Sequence, residues 1–235
     1  MPPRPPPSPP ALTVLCSLAA VAAAWLSLAL DQIVRGAAGA LVGVPFFGVW
    51  IDPAHNYTLR AVQGQAAGVG GWGWSFVVLS GTPVLLVLAL VFHALVGALR
   101  SPGWLRVLSL GWVVVALLWI PASLAAAALP GGGGPVAELY LRLGDPQAGR
   151  WTAAALGLLG LFLAAGSASE RAVAVGRAWM RADAVEFRRR LVRVSAGWPG
   201  AAALMALGVG AGWAGSAWLL VVPVAAVAAM HFRTR

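Results

Sequence analysis

Long apolar runs separated by short polar segments dominate the chain. They predict membrane-spanning helices at about 11–30, 73–98, 104–129, 152–168 and 200–229, because a helix of roughly 20 apolar residues crosses a bilayer. The predicted fold class is all-α: a polytopic integral membrane helical bundle of about five (five or six) transmembrane helices. The proline-rich residues 1–10 predict an extended, disordered tail, and residues 11–235 a single membrane domain.

Three segments depart from this simple pattern. Residues 36–50 are apolar but too short to span and contain Gly and Pro, which predicts a re-entrant or interfacial piece. Residues 51–65 alternate enough to allow short strands or a loop. Residues 200–229 are interrupted at 208–215, so they form either one long tilted helix or a hairpin of two short ones; the pattern favours one helix.

Composition excludes several classes of protein. Hydrophobic residues make up 60% and charged residues 10% of the chain, with a mean hydropathy of +0.83, whereas a soluble domain carries about 25% charge. The sixteen basic residues are all Arg, which excludes lysine Schiff-base and P-loop lysine chemistry. The single cysteine, Cys16, excludes internal disulfides and thiolate zinc clusters. Despite a net charge of +9, the chain is too apolar for a nucleic-acid-binding domain.

A basic amphipathic helix is predicted at 171–194, lying in the membrane interface. We interpret it first as a loop helix that fixes topology; contact with anionic lipid or a partner is compatible with that. The candidate contact residues are Arg171, Arg177, Arg181, Arg188, Arg189, Arg190 and Arg193. Five helices put ten arginines on the side of the N-terminus and six on the other. The positive-inside rule therefore predicts a cytoplasmic N-terminus in a bacterial inner (plasma) membrane, since an arginine-only, Ala/Gly-rich composition is typical of GC-rich bacteria.

Two further patterns concern helix packing. Gly208 and Gly212 form a G-x-x-x-G pair, a spacing that lets two helices approach closely. His93 lies within the second predicted helix, where we expect it to hydrogen-bond a neighbouring helix. No second histidine is placed to share a haem with it, so no cofactor is predicted.

The ionisable residues near the membrane are candidates for function. Asp31 and Arg35 are four residues apart, which places them on one face of a helix. Asp31, His55 and Asp145 are the candidate metal ligands, although Asp145 precedes Pro146 and is typical of a turn.

The stretch 31–61, followed by 75–92, resembles the core of M50-type intramembrane metalloproteases, the site-2 protease group. In that family HExxH ends the first core helix, a short membrane-embedded β segment follows, and the next helix opens with a small-Gly-Pro motif. The matching frames here are Asp31-Gln32-Ile33-Val34-Arg35, Tyr57-Thr58-Leu59-Arg60 and Ser80-Gly81-Thr82-Pro83. The likeness covers about a third of the chain.

The resemblance implies an inactive relative. Zinc hydrolysis needs two neutral imidazoles one helical turn apart and a carboxylate base. Here Asp31 and Arg35 stand in the histidine positions and Gln32 in that of the glutamate. The family's third ligand, an Asp in an L-D-G motif, matches at best Asp145.

These patterns favour a non-catalytic integral membrane subunit or scaffold that packs against partner membrane proteins and lipid, within a larger complex. One alternative is a membrane metal-binding enzyme on the diverged M50-like core, using Asp31, His55 and Asp145. A second is a small solute transporter with its path near 36–50 and 208–215. That reading lacks the internal repeat typical of transporters.

Overall fold

A computed structural model describes residues 9–52, 58–63, 69–99, 104–127, 146–176, 185–210 and 218–233. In chain order the elements are α1 (Pro9–Leu41), β1 (Phe46–Asp52), β2 (Thr58–Gln63), α2 (Gly71–Leu79), α3 (Gly81–Ala98), α4 (Trp104–Ala127), α5 (Pro146–Gly176), α6 (Val185–Val192), a π-helical turn (Arg193–Gly197), α7 (Trp198–Gly210) and α8 (Trp218–Arg233). The predicted tail at 1–8 lies outside these residues.

The architecture is the predicted membrane bundle. Five helical stretches are long and apolar enough to cross a membrane, and a shorter apolar helix covers Leu220–Phe232. This confirms an all-α fold with five or six transmembrane helices. In the described part of the chain, the only sheet is the antiparallel pair of β1 and β2.

Helix α1 extends eleven residues beyond its predicted end. Asp31 does not end it, because Arg35 neutralises that carboxylate one turn later. The helix stops in a Schellman motif, in which Val44 N–H donates to Gly39 O (2.9 Å) and Gly43 N–H to Ala40 O (3.2 Å). Gly43 has a φ of 89°, which glycine adopts without steric cost.

The prediction of a re-entrant or interfacial segment at 36–50 is therefore replaced by three parts. Residues 36–41 complete α1, a short turn follows, and β1 begins at Phe46. The strand option for 51–65 is correct over the described residues, since Ile51 pairs with Leu59 in an antiparallel register.

Two helices differ from prediction in length or continuity. The predicted helix 73–98 is divided at Ser80 into α2 and α3, because Pro83 has no N–H to donate to the Leu79 carbonyl. The predicted helix 152–168 is longer at both ends, and α5 covers Pro146–Gly176. Its polar continuation is stabilised by contacts with neighbouring helices, described below.

The interpretation of 200–229 as one helix is wrong. Gly200 and Met230 meet closely, since a Cβ on Gly200 would lie 3.5 Å from Met230 Cε. In a straight helix, residues thirty positions apart would be separated by about 45 Å. The chain therefore turns back on itself, and α7 and α8 form the hairpin that the interrupted pattern also allowed.

The separate interfacial helix at 171–194 is also corrected. Residues 171–176 are the last turn and a half of α5, while residues 185–210 form one continuous helical path through α6, the π-helical turn and α7. Arg189–Gly210 is itself one of the five candidate spans. The amphipathic pattern marks the ends of two membrane helices, and residues 177–184 lie outside the described part.

One end of the bundle, termed the arginine-rich end, collects Arg106, Arg171, Arg189, Arg190 and Arg193. There the start of α1 packs against α4 and α6 in a small cluster of Leu12, Cys16, Val107 and Leu191. Arg106 Nη2 donates to Ala174 O at 3.3 Å. Because α8 returns to this end, Arg233 ends its helix here, whereas a single helix over 200–229 would have placed it at the opposite end.

Helix α4 is the centre of the bundle. It packs most extensively on α5 and also contacts α1, α3 and α7. Glycines allow backbones to touch: a Cβ on Gly111 would lie 2.9 Å from Ala19 C, and one on Gly157 would lie 2.8 Å from Ala125 Cα and Pro121 O. Such close approach is the main source of helix association in lipid.

We predict that Gly157→Ala lowers the free energy of unfolding by about 1–3 kcal/mol, the usual cost of overpacking. The added methyl meets backbone atoms of α4, which cannot rotate away. Thermal unfolding in one detergent measures the change. Gly197→Ala is the control, because its Cβ would meet only Val192 O, at 3.6 Å. Equal stability of both variants would contradict the packing described.

Candidate functional site

The candidate site lies at the other end of α1, about 28 Å from Leu12 by helical rise. Here Arg35 Nη2 lies 2.8 Å from Asp31 Oδ2, and Asp31 is only 6% exposed. Gln32 Nε2 donates to the same carboxylate oxygen at 3.3 Å. The carboxylate therefore has both a charge partner and an amide donor from its own helix.

The start of α3 closes over this pair. A Cβ on Gly81 would lie 2.8 Å from Asp31 Cγ and 3.4 Å from Asp31 Cα. Only glycine lets the α3 backbone come so close, and Gly81 itself is buried. The break at Ser80, where the hydroxyl donates to Val77 O at 2.8 Å, brings Gly81 to this position.

The β1–β2 hairpin covers the next turn of α1. The ring of Phe46 packs directly against Gly36, and the amide of Gln63 packs against Gly39. Gln63 Nε2 also donates to Arg35 O at 3.4 Å. Two glycines thus give β1 and β2 a flat helix surface. We call this region, from Asp31 through the hairpin to Gly81, the hairpin end.

Chemically, the arrangement is an ion pair without net charge, in which the carboxylate is buried and the guanidinium is partly exposed. In the part of the chain that the structure describes, no group of three His, Cys, Asp or Glu side chains could hold a metal. Arg35 is a permanent cation within contact of the carboxylate that a metal would need. Arg35 Nε is buried without a hydrogen-bond partner among the described residues.

The predicted site residues are only partly brought together. Asp31 lies in the hairpin end, whereas His55 and Asp145 lie outside the described residues. Gly208 is buried in α7, and its predicted partner Gly212 also lies outside. Sequence reasoning missed Gln63 as a contact of α1; the glycines at positions 36 and 39, which open one face of the helix, were the available signal.

The predicted arginine contacts are spread over two helices. Arg171 is on α5, Arg189 and Arg190 are on α6, and Arg193 begins the π-helical turn. The side chains of Arg177, Arg181 and Arg188 lie outside the described part. Arg190 and Arg193 are exposed.

His93 does hydrogen-bond a neighbouring helix, as expected. Arg171 Nε donates to His93 Nε2 at 3.0 Å, and Arg171 Nη2 makes a second, closer contact with the same nitrogen. A Cβ on Gly97 would lie 3.4 Å from Arg171 Nη1. These contacts join α3 to the end of α5 and account for the length of α5.

Comparison with protein-family models, curated proteins and solved structures gives no match for this chain.

We predict that Arg35→Met lowers the free energy of unfolding by about 3–5 kcal/mol, because it leaves a buried carboxylate without its counter-charge. Asp31→Asn combined with Arg35→Met is expected to recover most of this loss, since removing both charges removes the desolvation penalty. Unfolding in detergent measures the wild type, both single variants and the double variant. Arg190→Met, at an exposed position, is the control and should change stability little. Additive losses in the double variant would contradict the coupling.

Proposed function

We propose that this chain is a non-catalytic integral membrane subunit, a scaffold that binds a partner membrane protein at its hairpin end and is built on an inactive relative of the M50 core. The observation that carries the proposal is the Asp31–Arg35 ion pair, 2.8 Å long and enclosed by Gly81. It occupies the frame in which a protease of that group would hold its metal.

The first support is the chemistry of that frame. A bound metal would have to displace a permanent cation from its carboxylate, and Gln32 cannot act as the general base that activates a water. The charges are matched within the helix, so the site needs no external ion. An ion pair of this kind, with a buried carboxylate, stabilises the fold.

The second support is the arrangement of the frames. Residues 31–35 face Gly81, the centre of the Ser80–Pro83 frame, and the hairpin packs on the turn that follows Arg35. Contact between these two quoted frames supports the proposal. Tyr57 and the side chains of residues 58–60 lie outside the described part.

The proposed partner surface consists of exposed apolar side chains at the hairpin end. Strand β1 exposes three large apolar side chains, those of Phe47, Trp50 and Ile51. Leu41, at the end of α1 and five residues before β1, is also exposed. Several large apolar groups exposed on both faces of a two-stranded sheet at the end of a bundle suit contact with another protein. By the positive-inside rule, the arginine-rich end faces the cytoplasm of a bacterial inner membrane and the hairpin end faces away from it.

Photo-crosslinking tests the partner surface. A photoreactive residue at position 50 is compared with one at position 158, since Trp50 and Leu158 are similarly exposed, at 57% and 59%. We expect position 50 to give one protein adduct of fixed mass in native membranes, and position 158 to give lipid adducts. No protein adduct at position 50, together with a lone protomer after extraction in mild detergent, would contradict the scaffold.

Metal analysis tests the absence of catalysis. We expect protein purified from zinc-supplemented cells to contain far less than one zinc per chain, because Arg35 holds Asp31. The content is measured by elemental analysis of wild type and Asp31→Asn. Stoichiometric zinc in the wild type that is lost in the variant would overturn the proposal in favour of the metal-binding alternative.

A further inference from the structure

We propose that the groove between α7 and α8 binds one anionic phospholipid of the membrane, with its phosphate at Arg193 and His231 and one acyl chain along the groove. This inference is independent of the proposed scaffold function, since it concerns the opposite end of the bundle. It rests on the shape, length and charge of the groove.

The groove lies between the two helices of the hairpin. It encloses about 540 Å³, and its floor and walls include Ala201, Met205, Val224 and Ala228. Met205 and Val224 are exposed there. In a bilayer this surface is covered by lipid chains, and an apolar concave surface orders one of them.

The length of the groove fits one leaflet. Arg193 and Met205 lie twelve residues apart along a helical path, which corresponds to about 18 Å. Half of the hydrocarbon core of a bilayer is about 15 Å thick. A chain anchored by its headgroup at Arg193 therefore reaches the end of the groove near the middle of the membrane.

The charge of the groove is at one end. Arg193 and His231 are the polar members of its lining, and no carboxylate is among the lining residues. Among the described residues, Arg193 makes one hydrogen bond, from Nε to Arg189 O at 3.4 Å, so its terminal nitrogens remain for a ligand. This pattern is complementary to a phosphate above an acyl chain.

The aromatic side chains fit the same depth. Trp198 and Phe232 line the groove near the charged end and are exposed. Indole rings prefer the headgroup zone of a membrane. The groove thus presents cations and aromatic rings at one end and aliphatic side chains along the rest of its length.

Native mass spectrometry tests the proposal. The detergent-solubilised protein is titrated with phosphatidylglycerol and, separately, with phosphatidylcholine of the same acyl chains. We expect one phosphatidylglycerol to bind in preference, and Arg193→Gln to weaken that binding about fivefold, the loss of one arginine contact. Arg190→Gln is the matched control, because Arg190 is exposed on the same path but does not line the groove.

A second pair of variants separates the groove from general surface attraction. Ala228→Trp fills the groove from an exposed position, and we expect it to abolish the preferred binding; Ala201→Phe repeats the test from α7. Ala155→Trp on α5, the same change at an exposed site outside the groove, should leave binding unchanged. Thermal unfolding confirms that each variant is folded.

The other outcomes overturn the proposal. Equal binding of the two lipids would exclude recognition of the negative headgroup. Equal losses in Arg193→Gln and Arg190→Gln would indicate a diffuse surface charge without a site. A photoreactive residue at position 224 that crosslinks to a protein of fixed mass in native membranes would assign the groove to a partner helix.

Discussion

Close contact between helix backbones around α4 is the constraint on which this structure depends. A bilayer provides no hydrophobic force to bring apolar helices together, so association relies on packing at short range. Gly111 admits α1, and Gly157 admits α4 to the surface of α5. With these contacts in place, the larger side chains of α4 such as Leu110 and Leu118 are completely buried, and the remaining helices pack around them.

The two ends of the bundle differ in charge: the hairpin end is neutral and the arginine-rich end is positive. At the hairpin end, a carboxylate and a guanidinium neutralise each other inside one helix and are covered by Gly81 and the hairpin. At the arginine-rich end, cations from α4, α5, α6 and the π-helical turn lie together, and among them Arg171 is held by His93. The ion pair at the hairpin end leaves no unpaired charge, whereas the arginines at the other end can attract anions. This contrast supports a scaffold that contacts protein at one end and lipid at the other.

The sequence predicted the fold class and the approximate location of most elements, but it misplaced the ends of several helices. Asp31 was interpreted as a helix end because an isolated charge stops an apolar run, yet Arg35 four residues later neutralises it. The same error shortened α5, since residues from 171 onward were assigned to a separate interfacial helix. Periodicity cannot show that Arg171 has His93 as its partner on another helix. The interpretation of 200–229 failed for a related reason: glycines at 208–215 are compatible with a bend or with a continuous helix, and the choice depends on contacts with the rest of the bundle.

The sequence by itself determined the membrane class of this protein, the approximate positions of its apolar helices and the proximity of Asp31 to Arg35, because hydropathy and helical spacing are local properties. Only the tertiary structure decided that α7 and α8 form a hairpin, that Gly81 and the β1–β2 hairpin enclose the ion pair, and that Arg193 and His231 lie at the same end of one groove. Those outcomes depend on which surfaces of distant segments fit closely enough for van der Waals contact. That fit is a property of the assembled helices and is not encoded in any single run of residues.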